Sequence, residues 1–529
     1  MFSEATLAAN VAAIERAQGQ CPAFGALDAS RVRAIPDDRA GMRLELRTSA
    51  GDWLRLDEVS TTTFPKQLFV IGPALGTVID AIEHAGAPTR VVALEPDPGV
   101  AVLMLARRDW TSWFESGRLR LLTGPDYRGA VTCSRHVNVS DPPLVVEHPL
   151  LAEHRAADVA AARAVASQMI AEAAKNQEAR RRFAGRYLLQ TLTNLPVIGR
   201  EADAGALDGL FSGRPAVVVG AGPSLDENLP ALAELQDRAV IIAADTTLRP
   251  LTKGGVRPHI LVGVDPGEMN ARHLAGVAGV DDIHLVAEGS LNPIAFEAFA
   301  DRTFVFKVSS HEPWPWLETR GLGCTTLRAW GSVVTSAFDL SLRLGCNPII
   351  FTGLDLAFTG MRPYCRGTIY HEMWQSYVDD GQTWDGLMEN YFSNQPDVRM
   401  PDWQGIETRT TPAMMSFRNW LLEQTAATKD RSIVNATGGG ILYGPGLRHG
   451  SLRELLGATV PSEDVRERLA SAHRQSASRA TSLQGDVDQL LRGGDNSALL
   501  TRWREFTLNT VTDEQITSAL HAASSHSPV

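Results

Sequence analysis

The stretch PAVVVGAGPSLDENLPALAEL, from Pro215 to Leu235, sets an unbroken apolar run, Ala216 to Val219, directly before a turn that holds Gly220 and Gly222. Such a run predicts a strand buried on both faces, as in a parallel sheet covered by helices. The residues after the turn predict a helix, and strand, turn and helix in that order open an α/β domain. Two glycines permit close approach of backbone to a ligand. The amides at the helix start, together with the Ser224 hydroxyl, predict a cradle for phosphate or another anion.

Working towards the C-terminus, AVIIAAD, HILVGVD, IHLVAEG, FVFKVSS and PIIFTGLD alternate with helical spacers, the pattern of an open parallel sheet. Ligands of such sheets lie beyond the carboxyl ends of the strands, so residues that end successive strands converge on one crevice. Here these are Asp245 with Thr246, Asp265 with Pro266, Glu288, Ser309 with Ser310, and Asp355. Any one of them can simply cap a helix. Four acidic strand ends in one domain predict a polar ligand site.

Towards the N-terminus, QLFVIG, VIDAIEHAG and RVVALEPD form a βαβ unit from about Lys66, with Gly72 and Gly76 after the first strand and Glu95 ending the second. A Rossmann-like structural domain is the main reading, and a second nucleotide-type site the sharper one. The stretch from Leu150 to Ile198 is rich in alanine, arginine and glutamate and predicts a helical connector. The tail after Pro461 predicts a small helical cap. The expected organisation is an α/β protein: an N-terminal Rossmann-like domain at 1–149, a helical connector at 150–205, a central open parallel sheet at 206–450 and a helical region at 451–529.

Composition narrows the function. With 529 residues, 44% of them hydrophobic, the chain can bury several cores. Fifty basic against sixty-one acidic side chains give a formal charge of −11, which argues against nucleic acid and anionic membranes as partners. Cys21, Cys133, Cys324, Cys346 and Cys365 are scattered without a C-x-x-C pair and read as reduced packing residues. The N-terminal MFSEATLAANVAAIERAQGQ lacks the basic and apolar stretches of a secretory signal, and no apolar run approaches the roughly 20 residues that span a bilayer, so a cytoplasmic protein is expected. No D-x-D stands at a strand end and no His, Asp and Glu cluster has ligand spacing, which predicts chemistry without a metal, or with magnesium held only loosely. Trp314 and Trp316 in HEPWPW flank prolines; they read as packing at a domain seam or as an exposed aromatic lip. Asn435, Thr437 and the glycines at 438–440 form a permissive turn that either borders a ligand or only reverses the chain.

Taken together, Gly220-Ala221-Gly222-Pro223-Ser224-Leu225, ADTTLRPLTKGGVRPHILVGVDP, GSVVTSAFDLSLRLGCNPIIFTGLDLAF (Gly331 to Phe358) and IVNATGGG (Ile433 to Gly440) resemble the Maf, or motility-associated factor, family over about Arg214 to Gly446. That resemblance implies an enzyme that transfers a nonulosonic acid, such as pseudaminic or legionaminic acid, from its CMP-activated form to serine or threonine of flagellin. The same blocks are similar to bacterial sialyltransferases, which implies a GT-A-type variant of the sheet and no tightly bound cofactor. By that analogy Gly220, Gly222, Pro223, Ser224, Asp245 and Asp265 line the donor pocket, and Gly331, Ser332, Val333 and Thr335 close it; Thr246 and Asp355, as strand-end residues, are expected at the same donor site. Where those sialyltransferases carry asparagine in the glycine turn, this chain has Ala221. Where many Maf members place a histidine soon after the LDLAF strand, this chain has its histidine further on, at His371.

Sugar transfer needs donors at the leaving phosphate and a base at the acceptor hydroxyl. His371 is the expected base, because neutral imidazole titrates near working pH. Tyr364, Tyr370 and Arg366 are expected to assist the phosphate or the sugar carboxylate. Two other readings stand beside this one. The central domain also resembles archaeal MptE-like proteins, which implies a 6-hydroxymethylpterin diphosphokinase using ATP and magnesium. A flagellin-binding protein without turnover is the third.

Overall fold

The apolar runs AVVV, VIIAA, ILVG, HLVAE, TFVF and IIFT of the central segment all become strands. In the computed structural model, which describes residues 2–18, 24, 26–37, 41–47, 53–55, 64–309, 311–393, 396–460, 464–477, 487–488 and 497–525, the chain divides into two compact units, Met1–Arg180 and Arg181–Val529. Ser310, expected at a strand end, and Cys21 lie outside the described residues.

The first unit contains an antiparallel meander of β1 (Val32–Asp37), β2 (Gly41–Arg47) and β3 (Trp53–Arg55). Its main sheet is parallel, in the order β6-β5-β4-β7, where β4 is Gln67–Ile71, β5 Arg90–Glu95, β6 Leu119–Thr123 and β7 Leu144–Glu147. Helix Thr77–His84 links β4 to β5, the predicted βαβ unit. Its glycine turn is closed by the unit's own side chains. A Cβ on Gly72 would stand 2.2 Å from Leu151, and one on Gly76 would stand 2.9 Å from Trp110. Glu95 accepts from the backbone N–H of Asp97 at 3.0 Å and of Ala74 at 3.3 Å, and burial pushes its carboxyl up to about 8. Both glycines and the acidic strand end thus pack within the unit itself.

Helix Ala156–Thr193 runs through the division between the units. Val159, Ala162 and Met169 enter the core of the first, whereas Leu188 and Leu192 enter that of the second. The second unit opens with β8 (Ala202–Asp203) and continues through β9 (Ala216–Val219), β10 (Val240–Ala244), β11 (Ile260–Gly263), β12 (His284–Glu288), β13 (Thr303–Phe306) and β14 (Ile349–Thr352). A hairpin, β15 (Val398–Pro401) and β16 (Glu407–Thr410), precedes β17 (Ile433–Asn435) and β18 (Arg448–His449). The nine strands other than the hairpin form one parallel sheet, ordered β18-β17-β14-β9-β10-β11-β12-β13-β8. Residues of β9, β10, β11 and β12 are buried throughout, which explains why their sequences are runs rather than alternations.

The chain lays down β9 to β13 in one direction, then returns to place β14 on the other side of β9. That reversal is a topological switch point, where the helices on either side splay and leave a crevice above the carboxyl ends. The C-terminal helices Val465–Ser476, Ser497–Phe506 and Asp513–Ser525 belong to this same unit, with Trp503, Ile516 and Leu520 in its core. Trp314 and Trp316 do not form a lip. They start a short helix, Trp314–Glu318, at 0% and 4% exposure, because Pro315 fits a first helical turn and Trp316 packs edge-on against Trp503. The four described cysteines, Cys133, Cys324, Cys346 and Cys365, are all buried. Among the described residues no helix is long and apolar enough to cross a membrane.

A candidate ligand cleft at the switch point of the sheet

Above the carboxyl ends of β9, β10 and β14 lies a cleft of about 260 Å³, near the lower end of the range for small-ligand sites. The turns after β9 and β14 meet there backbone to backbone: Gly222 N–H donates to the Gly353 carbonyl at 2.8 Å. A Cβ on Gly220 would stand 2.7 Å from that carbonyl, and one on Gly222 would stand 2.1 Å from Asp355 Oδ2. Glycine is required here so that two chain segments can touch, and the same bareness leaves backbone facing the cleft.

Of the predicted residues, Gly220, Gly222, Asp245, Thr246, Asp265 and Asp355 line this cleft. Gly331, Ser332, Val333, Tyr364 and Tyr370 line it too, from segments far apart in sequence. Ala221 lines the cleft as well.

Ser224 departs from the expected cradle. Its N–H and hydroxyl both donate to Asp355, at 3.2 Å to Oδ1 and 2.7 Å to Oδ2. The anion at the start of helix Leu225–Leu235 is thus the protein's own carboxylate, and Pro223 and Ser224 support the turn without lining the cleft. Burial pushes the Asp355 carboxyl up to about 6, against the lowering effect of the Ser224 bonds. The other helix start is open. Helix Val333–Arg343 begins with Ser332 in extended conformation, whose side chain makes no cap, and the amides of Val333 and Val334 lie ahead of the first intrahelical acceptor. Thr335 is buried behind them, accepting from Trp330 N–H at 2.8 Å, and so braces the helix start without lining the cleft.

Two acidic residues from the ends of β10 and β11 line the same cleft. Asp245 is 0% exposed; its Oδ1 accepts from Thr246 N–H at 2.7 Å, its Oδ2 has no partner, and burial pushes it up to about 7. Asp265 is exposed, with Oδ1 accepting from Gly267 N–H at 2.7 Å. The Tyr364 and Tyr370 rings stack with centroids 4.8 Å apart, and burial together with the neighbouring acidic groups raises both phenols above their ordinary value.

His371 does not line the cleft. It follows Tyr370 on helix Ile369–Asp379, and one step along a helix turns a side chain by about 100°. Tyr370 therefore faces the cleft, while the His371 ring lies against Trp384, centroids 5.5 Å apart, lowered by burial and by Arg362. Arg366 is exposed, and its N–H holds Asp226 at 2.9 Å. Glu288 ends β12 outside the cleft, its Oε2 accepting from Ser290 N–H at 2.7 Å, and Ser309 bonds His311 at 2.5 Å. The Asn435 turn is a buttress: Thr437 Oγ1 accepts from Leu354 N–H at 3.1 Å, and Asn435 Nδ2 donates to the Leu442 carbonyl at 2.8 Å.

Sequence reasoning missed Asn270, Met414 and Phe417. Asn270 lines the cleft and accepts from the Tyr370 hydroxyl at 3.1 Å. Met414 and Phe417 form its apolar side from helix Pro412–Ala427, and their spacing of three on a helix is the signal that marks them as one face.

Comparison with known proteins places this cleft in context. Residues 189–361 match the family model described as 6-hydroxymethylpterin diphosphokinase MptE-like. An uncharacterized protein of Treponema pallidum (strain Nichols) is 29% identical over 129 residues, 22% of this chain and 33% of that protein, so the match spans a third of the relative's length. The structure of the MAf glycosyltransferase from Magnetospirillum magneticum AMB-1 aligns at 16% identity with a TM-score of 0.48, covering 98% of this chain and 90% of that one. On its central segment the chain thus matches the MptE-like family, on the blocks that hold the glycine turn and the acidic strand ends.

Proposed function

We propose that this chain is a glycosyltransferase that moves a nonulosonic acid, of the pseudaminic or legionaminic type, from its CMP-activated form to a serine or threonine hydroxyl of flagellin in the cytoplasm. The observation that carries the reading is the polarity of one cleft. The start of helix Val333–Arg343, with its uncapped amides of Val333 and Val334, and the carboxyls of Asp245 and Asp265 line the same cleft. A nucleotide sugar has the matching parts, a phosphate that accepts and hydroxyls that donate. The family resemblance of the four sequence blocks supplies the donor and acceptor classes.

In the proposed transfer the acceptor oxygen bonds to the anomeric carbon. The bond from that carbon to the phosphate oxygen breaks, and CMP leaves with the electron pair. Amides at the start of helix Val333–Arg343 stabilise the charge that grows on the phosphate. Asp265, exposed at the mouth, takes the acceptor proton in place of His371, whose ring is turned away.

The second reading, a diphosphokinase acting on a pterin, is favoured by the description of the matching family model and by the presence of Asp245 and Asp265, with Asp355, in one cleft. Melting the protein with CMP, CDP, UDP and ATP, with and without magnesium, separates the readings, because a ligand of the native state raises the melting temperature. Stabilisation by CMP supports sugar transfer. Stabilisation by ATP with magnesium alone favours the diphosphokinase, and no shift from any nucleotide favours a flagellin-binding protein without turnover.

A further inference from the structure

Helix Ile369–Asp379 leaves its apolar side open. Ile369, Tyr370, Met373, Trp374 and Tyr377 recur at the three- and four-residue spacing that gathers side chains on one face, while Glu372, Gln375, Ser376 and Asp379 take the other. A stripe of that kind normally turns into a core. Here no residue of the helix is buried, and Met373 and Tyr377 stand 42% and 48% exposed. The helix is nonetheless held at its first turn. Thr368 Oγ1 caps it by accepting from His371 N–H at 3.1 Å, Glu372 pairs with Lys253 at 3.2 Å, and the Tyr370 hydroxyl donates to Asn270. Trp374 packs on Trp384 and Tyr391, so the open part of the stripe is Met373 and Tyr377.

We propose that Met373 and Tyr377 dock the polypeptide acceptor beside the donor cleft, an inference that rests on the chain being a protein glycosyltransferase. Tyr370 lines the cleft together with Asp265, the residue assigned to the acceptor proton. Tyr377 follows seven residues later, which returns it to the same side of the helix to within about 20° and carries it about 10 Å along the axis. The stripe that begins in the cleft at Tyr370 thus continues outside it. An extended acceptor advances about 3.3 Å per residue, so the side chains that meet Tyr377 stand about three or four residues from the serine or threonine held beside Asp265. Apolar side chains there would cover the stripe, as aromatic and apolar anchors do at protein interfaces. Glu372, Asp379 and Asp380 are exposed on the helix and at its end, and disfavour an acidic segment. A second copy of this chain would bring the same acidic groups and the same charge of −11 to the contact, which weighs against it as the occupant.

The test measures transfer from a CMP-activated nonulosonic acid to purified flagellin, and CMP affinity by calorimetry. It compares full-length wild type with Tyr377→Ala and with a double variant, Met373→Ala plus Tyr377→Ala. Trimming exposed side chains leaves the fold intact. Loss of interface anchors is expected to raise KM for flagellin about tenfold or more in the double variant, with kcat within about threefold and CMP affinity within about twofold of wild type. Tyr377→Phe, which keeps the ring, is expected to keep the wild-type KM. A wild-type KM in the double variant overturns the docking assignment and leaves sugar transfer standing. A fall in CMP affinity alongside the rise in KM overturns it too, since the helix then serves the donor. A wild-type dimer that the double variant abolishes, with KM for flagellin unchanged, makes a second copy the occupant and overturns the acceptor. Absence of any transfer to flagellin by the wild-type protein overturns the transferase reading and the docking assignment together.

Discussion

The hydroxyl of Ser224 donates to Asp355 Oδ2 across 2.7 Å, joining the helix start after β9 to the turn after β14. This bond spans the switch point and fixes the two turns whose backbones border the cleft. It also explains why the glycine turn tolerates so little. A methyl on Gly222 would need the space of the Asp355 oxygen, 2.1 Å away, and of the Gly353 carbonyl, 2.7 Å away.

Gly222→Ala is therefore expected to destabilise the protein by about 1–3 kcal/mol, as overpacking does, and to abolish stabilisation by nucleotide. Gly438→Ala is the control, since a Cβ there meets Glu227, Ser224 and Asn228 atoms only at 3.5 Å or beyond. Chemical denaturation of the two variants checks this. Equal losses would remove the argument that close approach at the switch point, and not glycine as such, is what matters.

Much of this arrangement was legible in the sequence, for a physical reason. Strands buried on both faces are written as apolar runs, so β9 to β14 and their terminal residues could be placed, and with them Asp245, Asp265 and Asp355. What could not be read is direction. Neighbouring residues on a helix point about 100° apart, so Tyr370 and His371 were equally eligible until the register of helix Ile369–Asp379 was known. Nor could the sequence show that Asp355 fills the anion position at Ser224, since that contact joins residues 131 apart. Asn270 enters the cleft only through a helix that carries no motif.

His371→Ala should leave kcat/KM within roughly threefold of wild type, as a side chain packed on Trp384 contributes no proton transfer. Asp265→Asn should lower kcat by about 10²–10⁴, the usual worth of general base catalysis. Steady-state rates with a CMP-activated sugar and a flagellin acceptor distinguish the two. A large loss in His371→Ala would return the base to that residue.

Asp245 gives a pH signature. Burial pushes its carboxyl up to about 7 in the fold, above the ordinary aspartate value, so the folded state holds the proton more tightly than the unfolded chain. Burial then costs nothing below about pH 4, where both states are protonated, and costs most above pH 7, where the folded carboxylate is ionised without compensation. Asp245→Asn removes that charge while its amide oxygen can still accept from Thr246. The variant is expected to be more stable than wild type at pH 8, on the order of a few kcal/mol, with the difference vanishing towards pH 4. Denaturant midpoints across that range are the measurement; a difference that grows towards low pH would contradict the assignment.

The helix start at Val333 can be tested without disturbing the fold. Val333 is the first residue of helix Val333–Arg343, a position where proline is well accommodated because its missing N–H has no intrahelical partner. Ser332, which would precede that proline, already has φ −138 and ψ 140, the extended region that proline imposes on its predecessor. Val333→Pro should thus fold normally yet lack one amide that faces the cleft. A hydrogen bond to a charged phosphate is worth about 1.5–3 kcal/mol, so donor affinity should fall roughly 10- to 100-fold with little change in melting temperature of the unliganded protein. Calorimetric titration with CMP reads the affinity directly. Unchanged binding in a folded Val333→Pro would move the phosphate away from this helix and back towards the amides of the glycine turn.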